Sequence, residues 1–473
     1  MTRSHFLEGN FAPVREERDF AGLPVVGTLP EALAGTLYRV GPNPQFDPRD
    51  DFYHWFAGDG MVHAFHFGDG KVAYKNRWMR TPKWRMENAA GRALFGTFGN
   101  PATSDQSVVG HSTGTANTHV LAHGGRLFAL EESHQPFEFD AVTLESKGYQ
   151  SFGGAIPARF TAHPKADTAT GELHFFAYSA GGPGTTEMHY GTLDRHCQVS
   201  RFEVFHAPYA GMVHDFVATG GHLLFLVTPL TSSMERARQG KPLFAWGPDR
   251  TAHLGVLPKG AGIAAMRWLA MDACHVFHFM NAWEADGRIT VYAMESPMAP
   301  GMPYADGRPG EAAKSAARLS RWTIDLDSDM GKVERTVLDH APAEFPRIDD
   351  RYAGRRNRYG WTVCHADGGI RDDVESTLYG TVTCHDFSDG GIQRFSLPKG
   401  DVLSEPVFVP RHAAAPEGDG WIVATAWRQD ARRSDLMVFN ATDVAAGPVA
   451  VVQLPCRIPF GFHGTWVPAS LVR

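Results

Sequence analysis

One unit returns again and again along this chain, and it leaves few folds open. A polar side chain stands at the edge of an apolar run, a glycine-marked or polar turn follows, and a second apolar run comes back. Asn117–Leu121 turns at Gly124-Gly125 and returns as Arg126–Leu130. His163 is followed by a polar turn and Leu173–Tyr178, His214 by Gly220-Gly221 and Leu223–Val227, and His278 by Asp286-Gly287 and Ile289–Tyr292. Glu405 is followed by Gly418-Asp419-Gly420 and Trp421–Ala424, and Met61–Phe67 turns at Gly68-Asp69-Gly70 into Lys71–Tyr74. Short runs rich in β-branched and aromatic residues are strands, and glycine turns between them make hairpins. A hairpin cannot bury its faces alone. Hairpins repeated through most of a chain predict an all-β fold of the β-propeller type.

Composition agrees. Fifty glycines and 31 prolines in 473 residues suit strands joined by turns, and 43 % hydrophobic residues supply a sizeable core. No proline-, glycine- or serine-rich linker divides the chain, so residues 1–473 read as a single domain. Pro13, Pro24 and Pro30 make residues 1–35 an extended arm. Short helices are expected over Arg85–Phe95 and over 229–240, and the insertions 229–260 and 296–316 are expected to form a loop and helix cap over one face.

A net charge of −7 without a basic tract argues against nucleic-acid binding. Cys197, Cys274, Cys364, Cys384 and Cys456 are scattered, odd in number and without a Cys-x-x-Cys pair, which suits reduced, buried thiols. The first residues carry no apolar core of a signal peptide, and no run of about 18 apolar residues occurs. The chain therefore reads as cytoplasmic. Residues 229–240 are too polar for more than weak peripheral membrane contact.

Four histidines stand in apolar or glycine- and proline-flanked settings: His163 in Thr161-Ala162-His163-Pro164, His214 in Met212-Val213-His214-Asp215, His278 in Phe277-His278-Phe279, and His463 in Phe462-His463-Gly464. A propeller gathers the inner strands of its blades around one axis, so these distant residues are read as converging on one metal ion. Imidazole suits iron, zinc, copper and nickel. Four neutral imidazoles leave the ion's charge uncompensated, so carboxylates should accept their outer ring N–H groups. Glu132, Glu344 and Glu405 stand in apolar or proline-marked settings that fit. Spacing alone does not single these residues out among 23 histidines, and a histidine taken alone is more often a core or surface residue.

At these residues, and in Gly9-Asn10-Phe11-Ala12-Pro13-Val14, Gly41-Pro42-Asn43-Pro44, His54-Trp55-Phe56-Ala57-Gly58-Asp59-Gly60-Met61 and Gly114-Thr115-Ala116-Asn117-Thr118, the chain resembles the carotenoid cleavage oxygenase family over nearly its whole length. The resemblance implies a seven-bladed β-propeller with a cap. It implies Fe(II) held by His163, His214, His278 and His463, with Glu132, Glu344 and Glu405 holding the ligands from outside. It implies cleavage of a conjugated C=C bond by O2 into two carbonyl products, in an apolar tunnel. Thr118 matches a position close to the iron's open site in some members.

Two branches of the family bear on the substrate. The lignostilbene-type branch resembles this chain around Leu94-Phe95-Gly96-Thr97-Phe98-Gly99-Asn100-Pro101, and uses a tyrosine and a lysine to bind a phenol. Here those positions are Phe98, without a hydroxyl, and Glu131, whose charge would repel a phenolate. The carotenoid branch matches at His54-Trp55-Phe56, Glu344–Asp349 and Ile458–His463, so an apocarotenoid or similar long conjugated alkene is expected, with a stilbene-type aryl-alkene as the alternative. A non-catalytic binding propeller would tolerate loss of a ligand, yet all four positions are filled. A zinc hydrolase is disfavoured because four protein histidines would close a tetrahedral site. A retinoid isomerase suits the bacterial-style resemblance less well. His119 and His134 fall outside the ligand positions and read as structural or pocket-lining.

Overall fold

The computed structural model describes residues 4–49, 53–96, 103–326, 332–365 and 378–471. The chain divides into two compact units, residues 1–162 with 397–473, and residues 163–396.

The first unit holds three antiparallel sheets. One runs Asp19–Phe20, Lys71–Trp78, Gly60–Gly68, Gly35–Pro42 and Gly464–Pro468. A second runs His119–His123, Arg126–Leu130, Phe137–Phe139 and Ser146–Tyr149. The third runs Val25–Gly27, Pro448–Gln453, Arg433–Asn440, Gly420–Arg428 and Val402–Leu403, with Val407–Pro410 also on Gly420–Arg428. The extended N-terminal arm thus adds an edge strand to two sheets, and the last strand of the chain pairs with Gly35–Pro42.

The second unit holds four sheets of four antiparallel strands. Their innermost members begin at Lys165, Phe216, His275 and Ala343, and the later strands follow outward in sequence order. Three sheets and four make the seven expected of seven blades.

The strands differ as their positions demand. Leu173–Ala177 is buried throughout, as a central strand covered on both faces must be. The outermost Gly391–Ser396 is mostly exposed, and Lys71–Trp78 alternates buried and open positions with period two. Trp322, Trp361 and Trp421 are fully buried, each contributing about 2–3 kcal/mol of apolar burial. The Gly124-Gly125 turn has both residues at positive φ (58° and 72°), the tight hairpin geometry that glycine allows and that matches strand twist.

The short helices differ in extent from expectation. The first is Pro82–Ala90: Thr81 Oγ1 accepts from Trp84 N, Pro82 opens it, and Gly91 at φ 66° ends it before Phe95. Within 229–240, Leu230–Ser232 is a strand and only Met234–Arg238 is helical. The insertion 229–260 is shorter than the sequence suggests, because Ala252–Pro258 is a blade strand paired with His222–Val227 and Arg267–Met271. What remains is a ribbon of Leu230–Ser232 and Phe244–Trp246, tied to the second insertion where Trp246 N–H donates to Pro303 O at 2.8 Å. The five cysteines are free, four of them buried. Among the described residues no helix is long and apolar enough to cross a membrane.

Candidate metal centre

In the second unit three histidines open three successive sheets. His163 precedes Lys165–Ala166, His214 precedes Phe216–Ala218, and His278 lies in His275–Ala285 where the register slips between Val276 and Phe279. A bulge re-aims the residue it contains. His163 Nε2 is 3.0 Å from His214 Nε2, and His214 Nε2 is 3.3 Å from His278 Nε2.

Glu344 sets the tautomer of the third ring. Its Oε2 is 2.6 Å from His278 Nδ1 and also accepts from Phe345 N at 2.8 Å. The carboxylate can only accept, so Nδ1 carries the proton and Nε2 presents a lone pair. Glu344 is buried, and its Oε1 has no hydrogen-bond partner among the described residues. Three ring nitrogens gathered this closely, that of His278 with its lone pair free, make a donor set that a cation can share. The donor set therefore fits a transition-metal ion bound through Nε2.

Asp215 ties this arrangement together. Its Oδ1 accepts from Phe216 N at 2.8 Å and lies 2.6 Å from Lys165 Nζ, while its Oδ2 accepts from Phe279 N at 2.9 Å. The residue after one histidine thus holds the backbone beside another. His275, on the same strand as His278, is pushed down to about 3 by burial and by the neighbouring His214 and His278, so it stays neutral.

In the first unit His463 is held from several sides. Its Nδ1 donates to Glu405 Oε1 at 2.9 Å, and Gly464 N donates to Glu405 Oε2 at 2.8 Å. His463 N donates to Thr118 O and Val40 N to His463 O, both at 3.1 Å. The buried Arg39 donates through Nη2 to Phe462 O at 2.9 Å and through Nη1 to Glu405 O at 3.4 Å. A Cβ on Gly464 would come within 2.8 Å of Arg39 Cγ, so this position must be glycine for the guanidinium to pass.

The remaining expected residues fall as follows. Thr118 is half-buried, and its Oγ1 donates to Asn117 Oδ1 at 2.9 Å; Asn117 Nδ2 in turn donates to Phe56 O and Gly58 O, each at 2.8 Å. Glu132 is half-buried just after Arg126–Leu130. Phe98 lies outside the described residues. Glu131 is buried with its oxygens already engaged: it accepts from Thr115 N and Oγ1 and from Tyr149 Oη, and His134 Nδ1 lies 3.0 Å away. Burial pulls the Glu131 carboxyl up, but His134 and the Thr115 donors outweigh it and hold it below its usual range. Burial likewise pulls His134 down, and Glu131 outweighs that, leaving it raised. His134 thus partners Glu131. Arg39, Asp215 and Lys165 carried no sequence signal that separates them from ordinary polar residues.

The family model described as "Retinal pigment epithelial membrane protein" (RPE65) matches residues 11–468. Isoeugenol monooxygenase of Pseudomonas nitroreducens is 37 % identical over 98 % of both chains. Carotenoid 9,10(9',10')-cleavage dioxygenase 1 of Arabidopsis thaliana is 31 % identical over 98 % of this chain and 90 % of its own. The crystal structure of Pseudomonas brassicacearum lignostilbene dioxygenase superposes with a TM-score of 0.94 at 35 % identity, covering 99 % of this chain and 100 % of that one. The chain belongs to the RPE65/carotenoid cleavage oxygenase family. Its fold is the seven-bladed β-propeller expected, and it is an alkene-cleaving oxygenase.

Proposed function

We propose that this protein is a non-haem Fe(II) dioxygenase acting on the alkene bond next to the ring of an aryl-alkene of the phenylpropene or stilbene type. The carrying observation is the meeting of three imidazole Nε2 atoms in the second unit, with the His278 Nε2 lone pair set by Glu344. His163, His214, His278 and His463 are the ligands in this reading, as the residues that match the family's four histidines. Glu344 and Glu405 hold His278 and His463 by their outer nitrogens, and Glu132 is assigned the same task.

Bound iron supplies a site where O2 meets the alkene, giving one carbonyl on each former alkene carbon. The protein's own part is positional. Thr118 spends its hydroxyl proton on Asn117 and so offers its oxygen as an acceptor. Trp55, Phe56, Phe460 and Phe462 form a continuous aromatic cluster at the segment that leads into His463.

The substrate preference departs from the apocarotenoid expected from sequence. The relatives at 37 % and 35 % identity carry isoeugenol and lignostilbene in their names, against 34 % and 31 % for two carotenoid-named ones. Moreover, the charge of Glu131 is offset by His134 and by three hydroxyl or amide donors, which weakens its case as a repeller of phenolates. A cytoplasmic setting, supported by the free cysteines, belongs to the same reading.

The test is O2 uptake with product chromatography on Fe(II)-loaded protein, offered isoeugenol, a 4-hydroxystilbene and an apocarotenal side by side. Aromatic aldehydes from either of the first two are expected. Products from the apocarotenal alone would return the substrate to the carotenoid branch.

A further inference from the structure

We infer that His119 is a positioning residue of the metal centre, holding the backbone that leads into one ligand against the ring of another. The inference rests on the reading of His163 and His463 as ligands. His119 opens the strand His119–His123, and it stands outside the group able to share the ion. Its Nδ1 is 2.9 Å from Ala162 O, the carbonyl of the peptide that joins Ala162 to His163. A carbonyl only accepts, so Nδ1 is the protonated nitrogen and the ring is fixed in orientation. The same ring lies edge-on to the His463 ring, with centroids 5.5 Å apart at 68°.

The backbone of this segment is equally committed. Thr118 O accepts from His463 N at 3.1 Å, and Thr118 N donates to Leu130 O at 2.9 Å. Two residues earlier Ala116 holds φ at 52°, a left-handed conformation that a side chain resists unless its surroundings impose it. The impositions are visible: Thr115 is clamped by Glu131, and Asn117 by Phe56 O and Gly58 O. Thr118-His119 thus forms a rigid bracket whose backbone carries the amide of His463 and whose imidazole carries the peptide before His163. Ligand orientation to within fractions of an ångström governs metal affinity, and groups that orient ligands typically contribute 10–100-fold.

The discriminating pair is His119→Phe, which keeps the ring and loses the donor, and His119→Asn, which puts an amide N–H close to the position of Nδ1. Metal-free protein is titrated anaerobically with Co(II) and with Fe(II) against a competing chelator, and the visible spectrum of the Co(II) form is recorded. His119→Phe is expected to weaken binding by about 10-fold or more and to shift the Co(II) bands, while His119→Asn stays within about threefold of the parent. Parent-like binding and spectrum in His119→Phe would overturn the inference, as would equal losses in both variants. Should His119→Phe fail to fold, His119→Gln, with its amide one bond further out, takes its place: weaker binding than His119→Asn is expected, and equal binding overturns the role. His163→Ala and His463→Ala serve as controls. If they bind Co(II) like the parent, the ligand reading itself fails; if they lose it and His119→Phe does not, only the role of His119 falls.

Discussion

Replacing Glu405 by glutamine would remove one charge and leave the shape of the side chain intact. The carboxylate is buried, with 2 % of its side chain exposed, and each oxygen takes one donor: His463 Nδ1 at 2.9 Å and Gly464 N at 2.8 Å. An amide has one oxygen. Whichever way the new amide turned, one buried N–H would face an NH2 group instead of an acceptor. An unmet buried donor costs about 1–3 kcal/mol, and the bond that survives loses its charge assistance. If the amide oxygen stays with His463, the cost falls on the Gly464 backbone and appears as lost stability. If it turns to Gly464, His463 loses its tautomeric control and the cost appears in metal binding. Arg39, which donates to the Glu405 and Phe462 carbonyls, holds the backbone on both sides and opposes relief by movement. The expected result is a 10–100-fold weaker Co(II) or Fe(II) affinity by chelator competition, equivalent to about 1.4–2.8 kcal/mol, or a matching loss of stability in metal-free denaturation. An affinity within twofold of the parent, together with an unchanged unfolding midpoint, would refute the reasoning that Glu405 orients this ligand.

Three further outcomes are expected. Gly464→Ala places a methyl 2.8 Å from Arg39 Cγ and from Tyr38 O, so stability should fall by roughly 1–3 kcal/mol in denaturant titration. Asp215→Ala strands Lys165 Nζ and the Phe279 amide, and should lower stability by about 2 kcal/mol with weaker metal binding; a stable variant with parent-like binding would show that Asp215 does not link the two ligand strands. The Glu131–His134 pair should stabilise the fold most in mildly acidic solution. Glu131 is depressed, so its contribution is present above its unfolded pKa and lost as pH falls through the folded one; His134 is raised, so its contribution is full below its unfolded pKa and lost as pH rises through the folded one. Melting curves of the parent and His134→Gln should differ most between about pH 4.5 and 6.5 and draw together above it; a difference that persists unchanged at higher pH would rule the pair out.

The β-hairpin repeat was readable because it is local. Gly124-Gly125 needs only its own backbone to turn, and Leu173–Ala177 is apolar because a central strand is covered on both sides. The ends of the short helix were misjudged because Thr81, Pro82 and Gly91 outweigh the polar pattern that runs on to Phe95. The sequence pattern puts the strand Ala252–Pro258 inside an insertion because the ribbon before it interrupts the hairpin spacing.

The sequence by itself determined the type of element, the chemistry of the imidazole and carboxylate candidates, and membership of a family, since these depend on residue identity and order. Only the tertiary structure decided what those groups face. Glu131 read as a bare charge and proved to be a carboxylate accepting from Thr115 and Tyr149, with His134 Nδ1 3.0 Å away. Arg39 and Asp215 drew no notice in the sequence and proved to hold the backbone at His463 and His278. The physical reason is that a hydrogen bond is set by distance and angle between groups that can lie 423 residues apart, as Arg39 and Phe462 do, and no local pattern records such a pairing.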